Sequence, residues 1–171
     1  MSRHRLRHQV FLVVDDDEPQ VLLISKILQM IGAVRVSHTT SGPEALELFR
    51  QNRIDFVITD LLMSPMDGFE LSRRIRALPQ QNAREVPIIV STGYSSLINV
   101  ENARDAGVTE VLRKPYMPVD LFHRVLSILD RPRDFVAASA YKGPDRRRHE
   151  DIPPLAGDRR YTEAETSILQ T

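Results

Sequence analysis

Four short apolar runs, each stopped by groups that carry charge or hydrogen bonds, constrain this chain more than anything else in it. Val10-Phe11-Leu12-Val13-Val14 stops at Asp15-Asp16-Asp17, and Phe56-Val57-Ile58-Thr59 at Asp60. Ile88-Ile89-Val90-Ser91 stops at Thr92-Gly93, and Val111-Leu112-Arg113 at Lys114-Pro115. Runs without polar alternation suit strands covered on both faces. Strands are expected near 10–14, 34–38, 55–59, 87–92 and 109–112. Parallel strands need crossover helices between them, and right-handed crossovers leave few topologies. In such sheets ligands bind outside the carboxyl ends of the strands, which is where these polar groups fall.

The intervening stretches read as helices. Val21, Ile24, Leu28 and Ile31 repeat at helical spacing, with Asp17 as N-cap, Pro19 in the first turn and Gly32 as the stop. Ser41 with Glu44, and Asp67 with Glu70, have capping-box spacing. A fourth helix is expected from about Ser95-Ser96, and a last one over about 119–129 with Leu121, Phe122, Val125, Leu126 and Leu129 on its apolar face. Five such units make a doubly wound α/β domain over 10–130.

The flanks differ in character. Residues 1–9 form a basic leader, read as a disordered tail. Residues 131–171 contain Pro132, Pro144, Pro153 and Pro154, and two related pieces, Gly143-Pro-Asp-Arg-Arg-Arg148 and Gly157-Asp-Arg-Arg160. So few large apolar groups cannot form an independent core, so this segment is disordered or lies against the domain.

Composition excludes several classes. The chain of 171 residues has 23 basic and 23 acidic side chains, which draws the whole toward neither nucleic acid nor membrane. It has no cysteine, so disulfides and thiolate metal sites are ruled out, and its five histidines are scattered. No apolar run approaches the ~20 residues that span a bilayer. A cytoplasmic protein is expected.

Asp15, Asp16 and Asp60 should converge from two strand ends. Unit charges at about 4 Å repel by ~4 kcal/mol at an effective dielectric of about 20. The cluster therefore needs a counter-charge or a proton. All-oxygen donors select a hard cation such as Mg²⁺. One carboxylate is then free to attack phosphorus, Lys114 offers a positive charge to phosphoryl oxygens, Thr92 a hydroxyl, and Gly93 space and an N–H. Each residue alone has a plainer role: Asp17 and Asp67 as caps, Thr92 as a strand former, Lys114 as a surface residue. Their placement at one end of successive strands is what joins them.

Val13-Val14-Asp15-Asp16-Asp17, Asp60-Leu61-Leu62-Met63-Ser64-Pro65-Met66-Asp67-Gly68, Pro87-Ile-Ile-Val-Ser-Thr92-Gly93 and Lys114-Pro115-Tyr116 occur in this order over about 120 residues. In these pieces the chain resembles the receiver domain of two-component response regulators. The resemblance implies a flavodoxin-like five-stranded parallel sheet of order 2-1-3-4-5 with helices on both faces. It implies that Asp60 takes a phosphoryl group from a sensor histidine kinase or a histidine phosphotransfer protein. Asp16, Asp60 and the Leu62 carbonyl would hold Mg²⁺, with Asp15 beside them, and Thr92, Gly93 and Lys114 would hold the phosphoryl oxygens. Such a protein is a signalling phosphoprotein, not an enzyme, and acts only on its own phosphorylation state. A protein effector, or a phosphorelay partner, is implied downstream, and a phosphorylation-dependent homodimer is compatible. The Lys114–Pro115 bond is often cis in this family.

Three positions depart from the pattern. Ser64 stands where the loop proline usually falls, and Pro65 follows. Val111 replaces the usual switch aromatic, which leaves Pro115 and Tyr116 with Val111 as the candidate switch surface. Leu62 and Tyr94, both bulky, occupy the positions that tune water access. Two other readings are open: a receiver whose arginine-rich tail binds nucleic acid, and a haloacid-dehalogenase-like Mg²⁺-dependent phosphatase with Asp15 as nucleophile and Asp17 two residues on. Pro19 stands where those phosphatases want Thr or Val.

Overall fold

The computed structural model describes residues 5–93, 100–130, 135–138 and 141–144. Strands β1 (Val10–Val14), β2 (Arg35–Thr39), β3 (Phe56–Asp60), β4 (Ile88–Thr92) and β5 (Glu110–Arg113) form one parallel sheet in the order β2-β1-β3-β4-β5. This is the expected flavodoxin-like arrangement. Helices α1 (Glu18–Ile31), α2 (Gly42–Gln51), α3 (Gly68–Arg76), α4 (Gln81–Glu85), α5 (Val100–Asp105) and α6 (Pro118–Asp130) connect and flank it.

Side chains alternate along each strand, so the sheet has two apolar faces. Phe11, Val13, Phe56, Ile58 and Ile89 pack with Val21, Ile24 and Leu28 of α1 and Leu121 and Val125 of α6. Leu12, Val14, Val57, Ile88 and Val90 pack with Phe49 of α2, Leu71 and Ile75 of α3, Ala83 of α4 and Ala103 of α5. The central strands are buried on both faces, and their sequences carry no alternation for that reason.

Most strands start one residue later than the sequence suggests. Asp55 bonds Val10 instead of joining the ladder: its N–H donates to the Val10 carbonyl and its carboxylate accepts the Val10 N–H. Pro87 has no N–H to give and serves only as an acceptor for Val57.

The helix ends follow local chemistry. Gly32 closes α1 at φ 118°, and Ala33 N–H reaches back to the Leu28 carbonyl. The Ser41 hydroxyl accepts the Glu44 N–H at 3.4 Å, but Glu44 does not complete a reciprocal box. Its carboxylate accepts the Thr39 hydroxyl at 2.5 Å, and Thr39 accepts the Ser41 N–H. Asp67 caps α3 at 2.7 Å. Asp17 is the N-cap residue of α1 by position, yet its side chain makes no cap bond.

Two features lie outside the sequence expectations. The end of the leader is not a disordered tail, because Leu6 is fully buried in the α1–α6 face and Arg5 bonds Asp130 and the Leu129 carbonyl. Beyond α6, β6 (Phe135–Ala138) and β7 (Tyr141–Pro144) pair antiparallel. The tail's two arginine clusters, Tyr94 and the expected helix start at Ser95-Ser96 lie outside the described residues. No described helix is long and apolar enough to cross a membrane.

Candidate phosphoacceptor site

The carboxyl edge of the sheet gathers three side chains into direct contact. Asp15 follows β1 and is 2% exposed, Asp60 ends β3 and is 8% exposed, and Lys114 follows β5. The Lys114 ammonium donates to Asp15 Oδ2 at 2.8 Å and to Asp60 Oδ1 at 2.6 Å. The remaining carboxylate oxygens are held by backbone: Asp60 Oδ2 accepts the Leu62 N–H at 2.8 Å, and Asp15 Oδ1 the Asp17 N–H at 3.1 Å. Thr92 is buried at the end of β4, and its carbonyl accepts the Lys114 N–H at 2.8 Å. That bond keeps the lysine backbone beside the hydroxyl residue. Among the described residues, a side chain built at Gly93 would meet nothing within 4 Å.

The first residue of α3 is pressed against the site. A Cβ on Gly68 would lie 2.2 Å from the Asp60 carbonyl oxygen, and Gly68 N–H already donates to the Leu61 carbonyl. Between them the chain turns through a cis Ser64–Pro65 bond, and the Lys114–Pro115 bond is cis as well.

Charge is unevenly compensated here. Burial pushes the Asp60 carboxyl above its ordinary value; the Lys114 hydrogen bond and charge oppose this, and Asp15 adds repulsion. Burial works to lower Lys114, but hydrogen bonds to Asp15 and Asp60 outweigh it and its pKa is raised. The two shifts do not conflict. A salt bridge alone would lower Asp60, but its cation is shared with a second buried carboxylate, so desolvation prevails.

Asp16 is exposed beside this trio. Among the described residues no group of three or more acidic or imidazole side chains is already arranged around a metal position. Lys114 itself supplies the counter-charge between Asp15 and Asp60. The donor set nonetheless suits a hard dication: two buried carboxylates share one ammonium, a third is adjacent, and all donors are oxygen. Leu62 is 44% exposed at the rim. Val111 pairs with Val90 in register and packs in the α2–α5 face. Tyr116 packs against the opposite face; burial, chiefly, pushes its phenol up, with Lys114, Asp15 and Asp60 all within electrostatic reach. Arg76, which no sequence signal singled out, is buried below the site and bonds the Gly107 and Ala83 carbonyls.

A doubly wound sheet with an acidic pair and a lysine at its carboxyl edge defines an anion- and cation-handling α/β domain. The family model for the response regulator receiver domain matches residues 11–126, and the chain belongs to that family. It is 32% identical over 120 residues to the heme response regulator HssR of Staphylococcus aureus (strain Newman), covering 70% of this chain and 51% of that protein. It is 28% identical over 130 residues to the probable transcriptional regulator ycf27 of Cyanidium caldarium, covering 76% and 50%. The chain thus spans about half the length of these relatives. Among solved structures, the receiver domain of the sensor histidine kinase PA1611 of Pseudomonas aeruginosa PAO1, with magnesium in its active site cleft, is 32% identical. It aligns at TM-score 0.61 over 70% of this chain and 94% of that one. Vibrio cholerae chemotaxis protein CheY4 is 29% identical at TM-score 0.65, covering 70% and 98%. Receiver domains are signalling proteins and not classic enzymes. The phosphatase reading of Asp15 finds no support in these matches.

Proposed function

We propose that Asp60 accepts a phosphoryl group from the histidine of a sensor kinase or phosphotransfer protein. The observation that carries this is the Lys114 ammonium bridging Asp15 and Asp60 at the carboxyl edge of the sheet. An Asp60 oxygen attacks phosphorus, the P–N bond to the donor imidazole breaks, and the imidazole leaves with the bonding pair. Lys114 exchanges its bond with Asp60 Oδ1 for a phosphoryl oxygen while keeping Asp15. The Thr92 hydroxyl and Gly93 N–H receive the other oxygens. Asp15, Asp16, Asp60 and the Leu62 carbonyl would hold Mg²⁺, which neutralises charge on the transferring group when bound. The magnesium in the PA1611 receiver supports that assignment. Treatment with a small-molecule phosphodonor and Mg²⁺, followed by peptide mapping, should place the label on Asp60 and lose it in Asp60→Asn. Label on Asp15 would overturn the reading.

The output we assign to a protein partner or a further relay step, in the cytoplasm; the acidic residues that offset the tail's arginines, and its few aromatics, support this over nucleic-acid binding by the tail. Exposed Leu62 shields the acyl phosphate from water, together with Tyr94. Leu62→Asn with Tyr94→Ala should therefore shorten the phosphoprotein lifetime in excess Mg²⁺, and an unchanged decay rate would remove shielding as the cause.

A further inference from the structure

Three residues of α3 lie on one stripe of the helix. Gly68, Ser72 and Arg76 follow one another at i, i+4 and i+8, so they share a face and span about 12 Å along the axis. Gly68 lies against the Asp60 backbone at the carboxyl edge of the sheet. Ser72 and Arg76, both buried, reach the turn that leads from α5 into β5. The Ser72 hydroxyl donates to the Ala106 carbonyl at 2.7 Å. Arg76 Nε and Nη2 both donate to the Gly107 carbonyl, at 3.1 and 2.9 Å, and Nη1 donates to the Ala83 carbonyl of α4 at 3.0 Å.

Gly107, at φ 73°, ends α5: its N–H returns to the Arg104 carbonyl, and the Val108 N–H to that of Ala103. The carbonyls of Ala106 and Gly107 fall past the helix, and α3 takes them up instead. A guanidinium is costly to bury. What it gives here that leucine could not is a planar fork fixed on backbone carbonyls.

The held turn is the foot of β5. Thr109 bonds Ile88 twice, through its N–H at 2.8 Å and through its hydroxyl at 3.0 Å, and β5 starts at the next residue. Among the described residues β5 pairs with β4 alone, so the ladder holds it from one side. Its position along the sheet then depends on what fixes its start. Helix α3 does so, and the other end of that helix abuts Asp60. The helix sets the span from the acceptor down to the foot of β5, and the four residues of β5, about 13 Å, carry Lys114 back up to the acceptor.

We propose that Ser72 and Arg76 are positioning residues for phosphoryl transfer, acting through β5 to hold Lys114 at bonding distance from Asp60 and from the incoming phosphoryl oxygens. This rests on the phosphoacceptor reading of Asp60.

The test compares Ser72→Ala and Arg76→Lys with the parent in the full chain, under conditions where circular dichroism shows each folded. Arg76→Lys keeps the charge and loses the fork. Ser72→Ala removes a single oxygen and decides the matter if Arg76→Lys does not fold. Label on Asp60 is followed by peptide mapping at saturating acetyl phosphate and Mg²⁺, and Mg²⁺ affinity without donor by an amide NMR titration. Misplacement by about 1 Å costs on the order of 10²-fold in rate, so a smaller shift of Lys114 should slow uptake about tenfold. Mg²⁺ affinity should hold or rise, because an ammonium drawn back from Asp15 and Asp60 competes less with a dication for them. A merely structural loosening would not separate the two readouts in this way. Unchanged uptake in folded Ser72→Ala would overturn the proposal, as would uptake and Mg²⁺ affinity that fall together, and either result leaves the acceptor reading standing. Absence of label on Asp60 in the parent would overturn both.

Discussion

Asp60 is a carboxylate kept at a cost. It is desolvated, faces Asp15, and shares Lys114 with it. Its pKa is raised from the ordinary 3.8. A raised folded-state value means that the contribution of this group to stability is complete below 3.8 and is lost as pH climbs through the raised value. At neutral pH the ionised carboxylate therefore destabilises the fold. Asp60→Asn keeps an acceptor for the Leu62 N–H and leaves Lys114 paired with Asp15. We expect it to gain about 1 kcal/mol, a rise of a few degrees in Tm, while losing phosphoryl uptake. The gain should shrink in denaturant titrations as pH falls from neutrality through the raised value toward 3.8, and a gain independent of pH would refute the electrostatic account. Lys114, also raised, has the same sign in a higher window: its contribution is complete below 10.5 and is lost as pH rises through its raised value.

Helix α3 sets the position of the acceptor from behind. Gly68 allows its backbone to lie against Asp60, and Asp67 caps the turn that starts there. Gly68→Ala forces backbone against backbone, where no side-chain rotation can give relief. A loss of about 2–3 kcal/mol is expected, read from the urea midpoint, with slower phosphoryl uptake in the folded fraction. Wild-type stability in that variant would mean that α3 can shift freely and does not position Asp60. The caps and the Gly32 stop are readable in sequence because each involves residues within a few positions of one another. Helix α4 was not readable: its five residues, Gln81–Glu85, carry no apolar periodicity and bury only Ala83. The hairpin was missed for a related reason, since its strands are short and lie among prolines and charges.

The molecule as a whole is closed at its lower edge by segments that look like appendages. Leu6 completes the face formed by α1 and α6, and Arg5 clasps the end of α6. Leu6→Ala should cost about 2–4 kcal/mol, as expected for a filled core position and far more than for a tail. Thermal unfolding that leaves Tm unchanged would return residues 5–9 to the status of a loose leader. The Arg5–Asp130 pair is half exposed on both sides, so its own share is small beside the leucine.

The order of elements, the sheet edge that carries the site and the residue types gathered there were all written in the linear chain. Doubly buried strands must be apolar along their whole length, and parallel connections send every strand's end to one edge. What tertiary structure alone decided is who touches whom across distance. Lys114 meets Asp60 and Asp15 over 54 and 99 residues of separation, and Arg76 meets Gly107 over 31. A basic residue at 5, a leucine at 6 and an arginine at 76 look like surface or leader in sequence. Burial and long-range hydrogen bonding give them their roles, because a side chain's energy depends on the partners that packing delivers and not on its neighbours along the chain.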